Sequence, residues 1–265
     1  MGNDMLNIEK IEKLLEKSNA KTPKIFYYPL TDSTNERAKV YATEHPEDTS
    51  ASVFIADEQS AGRGRRGRCF VSNGGAGIYI TILTHPKSSG FDATRITARA
   101  AVALARAAEK ASDIHTDIKW VNDIYLGGKK LAGILVEGAM QNNGETPYII
   151  TGMGINVYKN AISEEISDIA TSIESETGLR IEREKLAAEI IREFLYVTEN
   201  MSDGELFSEY SGRSFIIGKE VTVMKLSESY GAKVLELLPD YSLKIQRQNG
   251  ETENLFTGEV SLKIK

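Results

Sequence analysis

The stretch DIKWVNDIYLGGKKLAGILVEGAM, residues 117–140, decides the fold class of this chain. It contains three apolar segments, separated first by a polar turn at Asn122 and Asp123 and then by the pair Gly127 and Gly128. A Gly-Gly pair between two such segments is a hairpin signal, because glycine adopts positive φ without steric cost. The stretch is therefore predicted to form strand, turn, strand, hairpin and strand.

Strands and helices alternate outward from this stretch, without an internal repeat. Further strands are predicted at 24–29, 52–59, 78–86 and 146–159. Helical spacing predicts helices at 8–17, 34–45, 93–112 and 183–201, with weak or short helices in 163–178. Ser33 or Thr34 is expected to cap the helix at 34–45. The order predicts an N-terminal helix within 1–24, an α+β domain at 25–210 and a small closed β-barrel at 211–265, built from short alternating strands.

Composition and charge exclude several classes of protein. The 265 residues carry 32 Lys and Arg against 38 Asp and Glu, a net charge of −6 that disfavours a general nucleic-acid coat. The single cysteine, Cys69, excludes a disulfide framework, and the three scattered histidines make a fixed metal site unexpected. No apolar segment approaches the roughly 20 residues that cross a bilayer, and the N-terminus has no apolar leader. A cytoplasmic protein is therefore expected.

The densest cationic segment follows the strand at 52–59. Residues 62–68, GRGRRGR, place four arginines among three glycines, and we call this segment the basic loop. It contains GxGxxG, but a dinucleotide-binding fingerprint would open a helix, whereas a second strand follows here. Like charges repel and glycines are permissive, so the loop should be mobile when empty and ordered by a polyanion. A solvated loop or a nucleic-acid patch is the alternative at this stage.

Three other constellations carry polar groups where strands or helices begin and end. Lys119, Asn122, Asp123 and Lys130 can converge where a turn meets the sheet, although a plain hairpin turn with solvated lysines gives the same pattern. Residues 31–35, TDSTN, stand at a strand-to-helix junction, where free backbone N–H groups are available. Residues 152–156, GMGIN, interrupt a strand with glycines and mark either a bulge or a ligand lying against the backbone.

Together and in this order, these motifs resemble those of the biotin protein ligases. The matching residues are Ser33 to Asn35, Gln59 with 62–68, Lys119 and Trp120 with Asn122 and Asp123, 130–137 and 152–156. The resemblance covers about residues 25–200. It implies a mixed sheet with flanking helices related to class II aminoacyl-tRNA synthetases, followed by a small SH3-like β-barrel. It also implies that biotin and MgATP form biotinyl-5'-AMP, from which a carrier lysine takes the biotinyl group.

The resemblance also implies which residues bind each substrate. The biotin contacts would be Ser33, Thr34, Asn35, Gln59, Gly62, Arg63, Gly64, Arg65, Lys130 and Gly133. The ATP and adenylate contacts would be Arg65, Arg66, Arg68, Phe70, Asn122, Lys130, Gly152, Gly154, Ile155 and Asn156. Lys130 and Arg65 would act in catalysis, with Asp123 as a proton acceptor or orienting group. The family usually has Trp at the position of Phe70, which still offers a π-face for adenine.

The expected partner is a biotin carboxyl carrier protein of acetyl-CoA carboxylase or a related biotin enzyme. Homodimers occur among the proteins that the chain resembles, and their formation here stays open. Only about 24 residues precede the first strand, so a monofunctional ligase without an N-terminal DNA-binding domain is expected, with neither DNA nor a membrane as partner. Three alternatives remain: a lipoate protein ligase, a nucleic-acid-binding module built on the basic loop and the barrel, and a catalytically silent biotin sensor.

Overall fold

The computed structural model describes residues 5–16, 22–86, 92–138, 146–225, 228–256 and 261–264. The side chains of Arg66 and of residues 261–264 lie outside this description, as does residue 17 at the end of the first predicted helix.

A mixed seven-stranded sheet forms the main body, as predicted. Its strands are β1 (Lys24–Thr31), β2 (Ser52–Gln59), β3 (Gly77–Thr84), β4 (Asp117–Lys119), β5 (Asp123–Leu126), β6 (Lys129–Gly138) and β7 (Ile149–Asn156). The spatial order is β1-β2-β3-β7-β6-β5-β4, with β1 and β2 parallel and the other neighbours antiparallel. The predicted glycine hairpin is confirmed, because Gly127 and Gly128 join β5 to β6 with φ of 59° and 79°.

Helices cover both faces of this sheet. They are α1 (Ile8–Glu16), α2 (Thr34–Glu44), α3 (Ala93–Ser112), α4 (Ile173–Thr177), α5 (Arg183–Asn200) and α6 (Asp203–Arg213). The alanine-rich α3 and the adjoining α5 pack with α1 against one face, where the strands contribute buried residues such as Ile80 and Met153. On the other face, α2 packs Ala38 and Ala42 against Phe54, Leu83 and Ile150.

A second sheet of five antiparallel strands follows α6, of the kind predicted for the C-terminal region. These strands are β8 (Glu220–Met224), β9 (Ser229–Leu237), β10 (Leu243–Arg247), β11 (Thr252–Leu255) and β12 (Ser261–Ile264), in the spatial order β11-β10-β9-β8-β12. Its buried residues belong to the same core cluster as those of α3 and α5. The two sheets therefore share one continuous hydrophobic core.

Three local predictions were wrong. Helix α6 was not predicted, although the Ser202 and Glu205 capping box that starts it is readable in the sequence. The first strand runs on to Thr31 rather than ending at Pro29, because its parallel pairing with β2 extends that far. Ser33 is the N-cap of α2, but its side chain makes no capping hydrogen bond, and the Asp32 carboxylate instead accepts from the backbone N–H of Ser33 at 2.7 Å.

Candidate active site

The strand registers place five residues in one transverse row across the sheet. Lys119 of β4 lies opposite Asp123 of β5, which lies opposite Gly133 of β6, then Gly154 of β7 and Tyr79 of β3. Alternate residues of a strand face opposite sides of a sheet, so the register decides which side chains share a face. All five residues line one cavity of about 350 Å³ on the face that α2 covers.

The floor of this cavity is backbone, because glycines stand where side chains would fill it. A Cβ at Gly154 would lie 2.6 Å from Cε1 of Phe70, and one at Gly133 would lie 3.5 Å from Cε2 of the same ring. The Phe70 ring therefore lies over these two paired glycines, with its centroid 6.3 Å from that of Tyr79. A Cβ at Gly152 would lie 2.2 Å from Oδ1 of Asn35, so this glycine admits the start of α2.

Neutral polar groups form one end of the cavity. The carbonyl of the Gln59 side chain accepts from both the backbone N–H and the hydroxyl of Thr34, at 2.8 and 3.1 Å. The Thr81 hydroxyl lies 2.6 Å from Oδ1 of Asn35 and 2.8 Å from the hydroxyl of Thr34. Nδ2 of Asn35 donates to Glu137 at 2.7 Å, so both ends of this amide are engaged. The cluster is buried and fixed in orientation, as recognition of an uncharged polar group requires.

The basic loop is drawn into a short hairpin along the cavity wall. Backbone N–H groups of Gly64 and Phe70 donate to the carbonyls of Arg68 and Gly62, at 2.7 and 2.9 Å. A single turn of 3-10 helix occupies Arg65–Gly67. These bonds give the loop one folded arrangement over the sheet, and its mobility when empty stays a prediction.

Two arginines of the basic loop join it to the sheet and to α2. Arg65 donates to Oδ1 of Asn122 at 3.2 Å, and Asn122 in turn donates to the carbonyl of Ile134 at 2.9 Å. Arg63 forms an ion pair with Glu36 of α2. The loop is therefore tied to both sides of the cavity mouth.

Cationic groups form the other end of the cavity. Nζ of Lys130 lies 2.7 Å from Oδ1 of Asp123. Nζ of Lys119 lies 3.2 Å from the Tyr125 hydroxyl, and burial lowers the pKa of Lys119, an effect that Asp123 opposes and that Lys130 and Arg68 reinforce. Burial also raises the pKa of Tyr125 to about 12, so this hydroxyl stays protonated at any ordinary pH. The cavity thus offers ammonium and guanidinium groups in a partly desolvated setting, where their charges act strongly on an anion.

The cavity collects most of the predicted site residues. Its lining includes Ser33, Thr34, Asn35, Gln59, Arg63, Gly64, Arg65, Arg68, Phe70, Asn122, Asp123, Lys130, Gly133, Gly152 and Gly154. Trp120 also lines it, although this residue is 94% buried and belongs to the core cluster.

Three predicted residues stand apart from this lining. Ile155 faces the core on the opposite side of the sheet, because it alternates with Gly154 along β7. Asn156 is buried and donates to the carbonyl of Thr171 at 3.1 Å. Gly62 is buried where a Cβ would lie 2.3 Å from the carbonyl of Phe70. The side chain of Arg66 is outside the described residues.

Sequence reasoning missed other residues of the site. Tyr79 and Tyr125 line the cavity, while Thr81 and Glu137 fix the amide of Asn35. Tyr79 and Thr81 alternate on one face of β3, a pattern visible in the sequence, but only the register with β7 shows that this face meets Gly154 and Gly152. Tyr125 alternates with Asp123 along β5 and Glu137 with Gly133 along β6, so the same period-2 signal could have pointed to both.

The described residues contain neither a cluster of metal-binding side chains nor a membrane-spanning helix. Within the ranges given above, no group of three or more His, Cys, Asp or Glu side chains is placed to hold a metal ion. No helix in the same ranges has the length and apolar character to cross a membrane.

Comparison with known proteins connects this geometry to a family. Residues 27–156 match the model of the biotin/lipoate A/B protein ligase family. The chain is 30% identical over 246 residues to the bifunctional ligase/repressor BirA of Bacillus subtilis, a match that covers 90% of this chain and 74% of that protein. It is 35% identical over 160 residues to the biotin–[acetyl-CoA-carboxylase] ligase of Paracoccus denitrificans, covering 58% and 65%.

A solved structure shows the same fold. The biotin protein ligase of Aquifex aeolicus in complex with biotin and ATP superposes with a TM-score of 0.77 at 25% identity, covering 92% of this chain and all of that one.

Proposed function

Because this chain belongs to the biotin/lipoate A/B protein ligase family, we propose that it is a biotin protein ligase. It joins biotin to AMP at the expense of ATP, and then transfers the biotinyl group to a lysine of a carrier protein.

The observation that carries this function is the charge pattern of a single cavity. Among the described residues that line it are five cationic side chains, Arg63, Arg65, Arg68, Lys119 and Lys130, against one carboxylate, Asp123. The whole chain is acidic, with a net charge of −6. A cationic cleft in an acidic protein raises the local concentration of anionic ligands. Beside this cationic end lies the neutral polar cluster of Thr34, Asn35 and Gln59.

The first step joins two anions, which is the main physical obstacle. A carboxylate oxygen of biotin forms a bond to the α-phosphorus of ATP as the bond from that phosphorus to the pyrophosphate oxygen breaks. The carboxylate is already ionised at pH 7, so no base is required. Each close pair of like charges costs about 4 kcal/mol at an effective dielectric near 20. We assign the offsetting cations to Lys130 and Arg65, with Mg²⁺ entering as part of MgATP rather than at a fixed protein site.

The neutral end suits the ureido ring of biotin. That ring carries two N–H donors and one carbonyl acceptor, and Ser33, Thr34, Asn35 and Gln59 offer both kinds of partner at a buried helix start. Gly133 leaves room for the chain of the vitamin beside Lys130. In the same proposal Gly62, Arg63 and Gly64 cover the bound acid, and closure of the loop keeps water from the mixed anhydride.

The nucleotide is assigned to the wall on the other side of Lys130. Arg66, Arg68 and Asn122 supply donors for phosphate and ribose oxygens, while Phe70 supplies an aromatic face. Gly152 and Gly154 are assigned to the same wall because, without side chains, they let Asn35 and the Phe70 ring lie against the backbone of β7. Ile155 and Asn156 contribute through the β7 backbone and its end, since their side chains are engaged in the core and with Thr171.

In the second step the amine nitrogen of the carrier lysine bonds to the biotinyl carbonyl carbon as the bond to the AMP oxygen breaks. The amine must lose a proton. We assign to Asp123, the ion-pair partner of Lys130, the role of accepting this proton or of orienting the amine. The carrier is a biotin carboxyl carrier protein of acetyl-CoA carboxylase or a related enzyme. We also propose the division into an N-terminal helix within 1–24, a catalytic domain at 25–210 and a C-terminal module at 211–265.

The test is incubation of the purified chain with biotin, ATP, magnesium and a biotin carboxyl carrier domain, followed by mass spectrometry. Expected products are biotinyl-AMP, pyrophosphate and a carrier heavier by one biotinyl group. Replacing biotin by lipoic acid should give little adenylate. Lipoyl-AMP formed in preference to biotinyl-AMP would make the protein a lipoate ligase. Salt-sensitive binding of mixed oligonucleotides, without biotin-dependent pyrophosphate release, would overturn the enzymatic function.

A further inference from the structure

Four residues, Gln59, Gly62, Phe70 and Ser72, close the base of the basic loop, and we call this hydrogen-bonded set the knot. The backbone N–H of Gln59 donates to the carbonyl of Ser72 at 3.2 Å, and that of Phe70 donates to the carbonyl of Gly62 at 2.9 Å. Ser72 is 95% buried, although it lies outside every motif that the sequence analysis identified. The start and the end of the loop are thus joined directly above β2.

The hydroxyl of Ser72 forms two bonds within this knot. It accepts a hydrogen bond from Nε2 of Gln59 at 2.9 Å and donates one to the carbonyl of Phe70 at 3.0 Å. A hydroxyl is suited to this position because it accepts and donates at the same time. One partner of this hydroxyl, Gln59, lines the cavity. The other, Phe70, is the residue whose ring lies over Gly154.

The bond to Ser72 also sets the orientation of the Gln59 amide. The carbonyl oxygen of this amide accepts two bonds from Thr34, and its nitrogen donates to Ser72, so an end-for-end rotation would break all three. An amide has two N–H groups. Since Ser72 takes one, the other remains for a ligand in the cavity.

The residues of the knot are closely packed around Gly62, so the start and the end of the basic loop cannot move independently. A Cβ at Gly62 would lie 2.3 Å from the carbonyl oxygen of Phe70, 2.7 Å from the hydroxyl oxygen of Ser72 and 3.1 Å from Nε2 of Gln59. Packing this close transmits a displacement of one group to the others, because a close-packed interior does not deform continuously.

We propose that Ser72 is a positioning residue that couples the neutral polar end of the cavity, which we assign to the ureido ring of biotin, to the ring of Phe70, the aromatic cover of the cavity. It holds the Gln59 amide in the orientation that recognises the acid substrate, and it holds the backbone of Phe70 so that the ring stays over the sheet. The proposal rests on the proposed ligase function, and it adds a residue that touches neither substrate.

Removing the hydroxyl would leave a donor of Gln59 and the carbonyl of Phe70 without this partner. The amide could then rotate, and binding of the acid would weaken. Loss of one hydrogen bond of about 1 to 1.5 kcal/mol corresponds to a five- to tenfold change in an equilibrium constant. Phe70 is the nucleotide contact that is bonded to Ser72, and the bond from its backbone N–H to the carbonyl of Gly62 remains, so binding of ATP is expected to weaken less than binding of biotin.

The experiment compares Ser72→Ala, Ser72→Thr and Ser60→Ala with the wild-type chain. Ser60 lies just after β2, exposed and outside the cavity lining, so Ser60→Ala is the matched control. We expect Ser72→Ala to raise KM for biotin five- to tenfold and to increase escape of biotinyl-AMP into solution, while KM for ATP rises by a smaller factor. Ser72→Thr keeps the hydroxyl and should restore most of the biotin affinity. Gln59→Glu, which removes the donor to Ser72, should reproduce the loss if Ser72→Ala fails to fold.

Unchanged biotin KM and unchanged escape in a folded Ser72→Ala, or in Gln59→Glu where Ser72→Ala does not fold, would overturn the inference alone, provided that the wild type makes biotinyl-AMP. An equal loss in all kinetic constants that tracks a lower melting temperature would also overturn it, since this indicates a merely structural role. A wild-type chain that forms no biotinyl-AMP removes the proposed function, and this inference with it.

Discussion

The indole Nε1 of Trp120 donates a 2.7 Å hydrogen bond to the backbone carbonyl of Tyr241, and so fastens the turn between β4 and β5 to the C-terminal sheet. The Tyr210 hydroxyl donates to the carbonyl of the next residue, Val121, at 3.0 Å, and the rings of Tyr210 and Tyr241 meet edge to face. Tyr241 has a φ of 62°, a region that bulky residues rarely adopt. This is the same residue whose carbonyl accepts the hydrogen bond from the indole. Lys119, Asn122 and Asp123 flank this turn, so the C-terminal module supports one wall of the cavity.

Trp120→Phe should therefore lower the stability of the protein. It keeps an aromatic ring but leaves the carbonyl of Tyr241 without this donor, which should lower the free energy of unfolding by about 1 to 3 kcal/mol. Urea denaturation measures this loss. Tyr241→Phe is the control, because the Tyr241 hydroxyl is buried and has no hydrogen-bond partner among the described residues. A stability cost for Tyr241→Phe as large as that for Trp120→Phe would contradict this account.

Lys130→Ala should lower the rate of adenylation by about a hundredfold or more, as expected for loss of one preorganised electrostatic group. Biotin-dependent pyrophosphate release is the measurement. Lys129→Ala is the matched control, since this neighbour on β6 donates to the carbonyl of Ser167 at 2.7 Å and does not line the cavity. Similar rates for the two variants would remove Lys130 from the mechanism.

The charge of Lys119 should make ATP capture sensitive to alkaline pH. Its folded-state pKa is lowered mainly by burial, so the ammonium loses its proton at a lower pH than an ordinary lysine and the cavity then loses one positive charge. We expect kcat/KM for ATP to fall as pH rises through that lowered pKa, below about 10.4. Tyr125, with its pKa raised to about 12, stays neutral throughout and adds no compensating change.

Lys119→Arg separates this effect from general alkaline inactivation, because arginine keeps its charge over the whole range. The profile of kcat/KM for ATP between pH 7 and pH 10 should be flatter in this variant than in the wild type. Parallel profiles would show that another group titrates.

Gly154→Ala should displace the aromatic cover, because its Cβ would lie 2.6 Å from the Phe70 ring. Overpacking of this kind costs about 1 to 3 kcal/mol. We therefore expect faster escape of biotinyl-AMP, which is measured by filtration and mass spectrometry. Gly212→Ala in α6 meets nothing within 4 Å and should leave escape unchanged while slightly stabilising the helix. Equal retention of the adenylate in both variants would argue against a covering role for Phe70.

Arg65→Gly should open the loop on the side of Asn122, where Arg65 now donates at 3.2 Å. The reactive adenylate would then leave the cavity and label lysines of any protein present. Biotin transferred to serum albumin, relative to the carrier, measures this loss of selectivity. Arg65→Lys keeps the charge without the planar fork and should leak less. Selective labelling by Arg65→Gly would exclude the loop as a lid.

Local patterns were enough to predict much of this molecule. Gly127 and Gly128 predicted the hairpin, and the alanine-rich helical period predicted α3. The arginines and glycines of 62–68 identified the basic loop. Each of these signals depends on neighbouring residues alone. The capping box of Ser202 and Glu205 was equally local and was overlooked, so α6 was missed.

The local patterns of the chain thus specify its secondary-structure elements and the chemical types of side chain available for a site. Which of these side chains meet depends on the tertiary structure. Strand register placed Tyr79 beside Gly154 and Lys119 beside Asp123. The return of the basic loop to β2 put the hydroxyl of Ser72 between Gln59 and Phe70. The physical reason is that side chains alternate along a strand, so a contact between distant segments depends on pairing across the sheet, which no local spacing encodes.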